Sequence, residues 1–190
     1  MCRRGLNQFD RLRSFGAFDG ALRELIHLLK YSGVMTLATP LAALLAVVVH
    51  NEPELAAVDV VVPVPLHPRR QRARGYNQAE CLARKLAELL VLPLDTRSFA
   101  RRRNTAPQTG LTPRQRRANV RGAFAVRARS QLDAKRILLV DDVCTTGATL
   151  NACAQTLKRA GASEVQAITL ARVVQWIPGL RDDDGNAAHT

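Results

Sequence analysis

The segment Ile137–Leu150 constrains this chain more than any other. Ile137–Val140 is apolar at every position. A strand with one wet face alternates polar and apolar residues. A continuous apolar run instead marks a strand covered on both faces, as in a parallel sheet between helix layers. Two adjacent carboxylates follow, Asp141 and Asp142, then Cys144-Thr145-Thr146-Gly147-Ala148-Thr149. A helix pattern over Gly147–Ala160 comes next and stops at Gly161, a residue suited to the left-handed turn that ends helices.

The rest of the chain repeats the alternation. Leu22, Leu25, Ile26 and Leu29 recur at helical spacing after Asp19. Thr39 is placed to cap a second helix that has Pro40 in its first turn and runs to about His50. Val58–Val64 reads as a buried strand, and Gln78–Leu90 as a helix with Leu82, Leu86, Leu89 and Leu90 on one face. Gly122–Val126 and Val165–Ala171 read as further strands. Pro65–Gln78 reads as an arginine-dense loop, and residues 101–121 as a mobile basic loop or one that orders on a ligand. Strands alternating with helices give an α/β fold with a mainly parallel central sheet flanked by helices. The expected organisation is an N-terminal remnant over 1–17, one α/β domain over 18–177, and a disordered polar tail over 178–190. Ligands of such sheets sit at the carboxyl ends of strands, here after Val64 and after Val140.

Each part of the Asp-Asp-to-helix segment has a chemical use. Free backbone N–H groups at a helix start attract an anion. Gly147 and Ala148 allow close approach, and Thr145, Thr146 and Thr149 add hydroxyl donors. Asp141 and Asp142 would repel an adjacent phosphate, but one sugar away they can accept hydrogen bonds from vicinal hydroxyls. Phosphate at one end and a diol at the other describe a ribose 5-phosphate. The run is neither a Walker A loop nor a dinucleotide fingerprint, since it lacks Gly-Lys-Ser/Thr and GxGxxG. Cys144 reads as neutral rather than nucleophilic, for want of a base partner. The segment resembles the 5-phosphoribosyl-1-diphosphate (PRPP) signature of type I phosphoribosyltransferases. The resemblance implies that Asp141 and Asp142 hold the ribose hydroxyls and that Thr145–Thr149 hold the 5-phosphate.

Two basic segments complete the pattern. His67, Arg69, Arg70, Arg72 and Arg74 follow the strand that includes Pro63, with four arginines in six residues. Such a cluster suits a diphosphate. The stretch from Arg101 to Arg121 reads as a lid over a polyanion, with Arg103, Gln108 and Arg117 as its candidate contacts. The Leu22–Tyr31 helix, the Pro-Val-Pro-Leu-His-Pro loop with Arg74-Gly75-Tyr76-Asn77-Gln78, and the Gln108/Leu111/Arg117/Asn119 pattern are together similar to the ComF family of competence-associated phosphoribosyltransferase-like proteins, over about Phe15 to Arg172. That resemblance implies phosphoribosyl transfer with Mg2+ accompanying PRPP, no protein-only metal site, and a link to natural competence. Members of the family begin with a zinc module built on CxxC pairs. Here only Cys2 stands where its last cysteine would fall, so no zinc is expected in this chain.

Composition sets outer limits. The net charge of +12 favours phosphate-bearing partners, and a single-stranded DNA or competence-machinery partner is compatible with it. Aromatics at 4% leave little for a base-stacking platform. A non-catalytic PRPP or nucleotide sensor is the main alternative to an enzyme, because fold alone does not fix function. The four cysteines form no CxxC pair, and no apolar run reaches the ~20 residues of a membrane span. A cytoplasmic protein without membrane insertion is therefore expected. His27 and His50 read as helix-surface or core residues.

Overall fold

The computed structural model describes residues 7–105, 110–127 and 132–173. Its strands are β1 (Arg11–Ala17), β2 (Val60–Pro63), β3 (Phe99–Arg101), β4 (Phe124–Val126), β5 (Arg136–Cys144) and β6 (Glu164–Arg172). The helices are α1 (Gly20–Tyr31), α2 (Ala38–His50), α3 (Pro53–Ala56), α4 (Pro68–Arg74), α5 (Gln78–Leu90), α6 (Pro113–Val120) and α7 (Ala148–Arg159).

A parallel sheet of order β1-β6-β5-β2 forms the centre. The β5 residues alternate between its two faces. Ile137 and Leu139 join a core with α7 and the β3–β4 hairpin. Leu138 and Val140 join a second core with α1, α2 and α5. All four are fully buried, which is why the run shows no polar alternation. Beyond β2, Val61 bridges Leu94 and extends the sheet edge by one short parallel contact.

Several expectations need correction. Residues 11–17 are not a remnant ahead of the domain: they pair with β6 from Arg11↔Gln166 to Ala17↔Arg172. This edge strand is only partly buried, so it can carry Arg11, Arg13 and Ser14 and shows no apolar run. The second helix starts at Ala38, with Leu37 at its N-cap position and no side-chain cap, and Thr39 lies inside it. Within the supposed arginine loop, residues 68–74 form α4, with Pro68 in its first turn and Gly75 at φ 89° as its C-cap. Residues 113–120 of the supposed mobile loop form α6, entered through a Thr112–Gln115 capping box. Both helices are arginine-rich with little apolar face, so periodicity is silent about them. No helix among the described residues is long and apolar enough to cross a membrane. Cys2, Gln108, Trp176 and the tail lie outside the described residues.

Candidate functional site

The carboxyl ends of β2 and β5 open into a cleft of about 570 Å3. β5 continues through Asp141 and Asp142 to Cys144, held by its ladder with β6. The two carboxylates therefore stand within the strand end, on a rigid element, rather than in a loop after Val140. Both are buried, at 9% and 4% exposure. The Asp142 N–H donates to Asp141 Oδ1 at 2.9 Å, and the Val143 N–H donates to Asp142 Oδ1 at 2.8 Å. Burial, and then the charge of Asp142, pushes the Asp141 pKa up to about 8. Two carboxyls this close resist double ionisation.

Lys30 Nζ lies 2.8 Å from Asp142 Oδ2 and supplies the compensating charge. It comes from α1, the same helix that sends His27 and Tyr31 to the cleft wall. His27 is thus a wall residue, not merely a surface one. Phe18, His27 and Tyr31 form a row of rings with centroid spacings of 6.2 and 5.7 Å, and the Arg74 guanidinium sits 5.3 Å from the Tyr31 ring centre.

Gly147 is the N-cap of α7 at φ 70°, a left-handed conformation, and no side chain caps the helix. A helix start of this kind is an anion-attracting element, because the helix dipole places its positive end there. Thr145, Gly147, Ala148 and Thr149 line the cleft beside it. Thr146 does not line it, and its buried Oγ1 has no hydrogen-bond partner.

The arginine cluster divides on a helical period. Arg70 and Arg74, four residues apart on α4, line the cleft. Arg69 and Arg72 are exposed and do not. His67 serves α4 as its cap, accepting from the Arg69 N–H at 3.2 Å. Asn77 returns the chain: its Nδ2 donates to the Val64 carbonyl at 3.1 Å, and its Oδ1 accepts from the Ala79 N–H at 3.2 Å. Of the lid candidates, Arg103 donates to the Arg121 carbonyl at 2.7 Å, while Arg117 is exposed and away from the cleft. Two other arginines take their place. Arg101, 8% exposed on β3, donates to Thr105 Oγ1, and Arg70 donates to the Thr105 carbonyl. Burial, and then the nearby Arg70 charge, lowers the Arg101 pKa. Arg116 of α6 donates to Thr145 Oγ1 at 2.7 Å.

Five cationic side chains, Lys30, Arg70, Arg74, Arg101 and Arg116, thus line the same cleft as the two carboxylates. Four buried side-chain polar atoms among the described residues lack a hydrogen-bond partner. Of these, Arg101 Nε belongs to a cleft residue and Thr146 Oγ1 lies in the loop before α7, while Asp142 Oδ2 has the Lys30 ammonium as its ion-pair partner at 2.8 Å. Unsatisfied groups are few in folded proteins, and the one of these four that belongs to a cleft-lining residue without any partner is the Arg101 Nε. No group of three or more His, Cys, Asp or Glu among the described residues could hold a metal by itself.

Residues 73–176 match the phosphoribosyl transferase domain family. The chain is 34% identical to competence protein F of Haemophilus influenzae over 168 residues, covering 86% of this chain and 73% of that protein. The chain belongs to the ComF family of phosphoribosyltransferase-like proteins. It is also 36% identical to the DNA utilization protein YhgH of Escherichia coli K12, covering 87% of this chain and 74% of that one. With competence protein ComFC of Streptococcus pneumoniae it shares 27% identity, covering 84% and 67%. In this ComF chain β1, β2 and α1, with its Lys30, His27 and Tyr31 wall, precede the segment matched to the transferase domain.

Proposed function

We propose that this ComF protein binds PRPP in the β2–β5 cleft and transfers its phosphoribosyl group to a nitrogen nucleophile, releasing diphosphate. The observation that carries the reading is the set of groups that line one cleft. A helix start with hydroxyls and no side-chain cap, a buried carboxylate pair and a cluster of arginines suit the phosphate, diol and diphosphate of PRPP.

The roles follow from chemistry. The first-turn N–H groups of α7, with Thr145 and Thr149, would take the 5-phosphate. Asp141 and Asp142 would accept hydrogen bonds from the ribose hydroxyls and fix the ring. Arg70, Arg74 and Arg101 would hold the diphosphate. At the anomeric carbon the bond to nitrogen forms as the bond to the diphosphate oxygen breaks, and the electron pair leaves with diphosphate. Arginines placed on that oxygen stabilise the developing charge without a covalent intermediate. The residues fit Mg2+ in the mode in which the ion binds mostly through substrate phosphates and one or two carboxylates. Here those would be Asp141 and Asp142, and the ion would supply further charge neutralisation on the diphosphate. The relatives carry names of competence and DNA utilization, which supports placing this chemistry in the handling of DNA.

The test is diphosphate release from Mg2+-PRPP across a panel of nitrogenous bases. Acceptor-dependent release that Arg101→Gln slows supports a transferase. Saturable PRPP binding with no release under any acceptor would replace it with a PRPP sensor.

A further inference from the structure

The arginine that couples the β3–β4 insertion to the phosphate loop is Arg116, not the residues that sequence reasoning placed in the lid. Its backbone is fixed in the first turn of α6: the Arg116 N–H donates to the Thr112 carbonyl at 2.9 Å. Its side chain is held at two points. Nε donates to the Leu111 carbonyl at 3.0 Å, and Nη1 donates to Thr145 Oγ1 at 2.7 Å. Both acceptors are neutral. Arg116 takes part in no ion pair among the described residues. A half-buried guanidinium is thus oriented on a hydroxyl two residues before the N-cap of α7, with its charge uncompensated.

We infer that Arg116 is a phosphomonoester-binding residue of this cleft, completing the 5-phosphate subsite from α6. The inference rests on reading the turn before α7 as the 5-phosphate site. A guanidinium carries five N–H donors, and two are accounted for here. The phosphate would add a charge-assisted partner to a group already in place, so little side-chain ordering is required. Two consequences separate this role from simple packing of α6 on α7. Arg116 contributes to any ligand bearing the 5-phosphate, with or without a diphosphate. In addition, phosphate occupancy stabilises α6, because one anion then holds both helices. Arg70, which comes from α4 after β2 and donates to the Thr105 carbonyl, should matter for the diphosphate instead.

Calorimetric titrations of PRPP, ribose 5-phosphate and inorganic diphosphate against the full chain, Arg116→Gln, Arg116→Lys and Arg70→Gln test this. Losing one charged hydrogen bond predicts that Arg116→Gln weakens ribose 5-phosphate and PRPP by about 10- to 100-fold. Arg116→Lys should recover part of the loss, since it restores charge without the fork. Diphosphate binding should be weakened by Arg70→Gln and spared by Arg116→Gln, which also shows that the latter variant is folded. Hydrogen exchange in α6 should slow when ribose 5-phosphate is added to the wild type, and not in Arg116→Gln. Wild-type affinity of Arg116→Gln for PRPP overturns the inference and leaves the cleft assignment standing. If the wild type binds none of the three ligands, the cleft assignment falls and the Arg116 role falls with it.

Discussion

Replacing Asp141 with Asn should make the ligand-free protein more stable while removing its capacity to hold the sugar. The Asp141 carboxyl has its pKa raised from an ordinary 3.8 to about 8 by burial and by Asp142. In the unfolded chain it ionises freely above pH 4, whereas in the folded chain it must stay protonated or be charged while buried. The unfolded state therefore gains on the folded state as pH rises from about 4 to about 8. At 1.36 kcal/mol per pH unit, the penalty is about 4 kcal/mol at pH 7 and under about 2 kcal/mol at pH 5. Asn carries no such charge, and its Oδ1 can still accept the Asp142 N–H that Asp141 accepts at 2.9 Å. Urea unfolding of wild type and Asp141→Asn at both pH values measures the effect. The variant should gain about 2–4 kcal/mol at pH 7, and most of that gain should vanish at pH 5. A variant that is less stable at pH 7, or whose gain is equal at the two pH values, would refute the view that this carboxyl is kept at a cost for ligand binding.

Other perturbations act through different forces. Lys30→Met leaves the 5%-exposed Asp142 carboxylate without its cation. Breaking a buried pair costs about 3–5 kcal/mol; Lys30 keeps 18% exposure and Val143 still donates to Asp142, so the low end, about 3 kcal/mol, is expected in denaturant unfolding. Val91, 90% exposed, caps α5 at φ 53°. Val91→Gly should raise stability by about 1 kcal/mol, read as a higher denaturation midpoint, because a β-branched residue is strained there.

How much was legible depended on where the information resides. Buried strands and amphipathic helices announce themselves locally: Gln78–Leu90 matches α5, and the apolar Ile137–Val140 run lies in β5. The Asp-Asp-to-helix turn was legible because strand end, carboxylates, glycine and helix start are contiguous in sequence. The edge strand β1 was not, since partial burial tolerates Arg11 and Arg13. Nor were α4 and α6, whose arginines hide any apolar face and whose caps, His67 and Thr112, carry the local signal. A Thr-Pro-x-Gln start at Thr112–Gln115 could have revealed α6. The division of the arginines, with Arg70 and Arg74 inward and Arg69 and Arg72 outward, required knowing that they lie on a helix. Lys30, Arg101 and Arg116 meet the carboxylates and the turn before α7 only through tertiary packing, so no spacing rule points to them.

Calorimetric titration of Mg2+-PRPP into the wild type and into an Asp141→Asn/Asp142→Asn variant tests the central assignment most directly. The cleft assignment predicts saturable binding to the wild type and its loss in a double variant that unfolds cooperatively in urea. Undiminished binding by that variant, or no binding by a folded wild type, would contradict it.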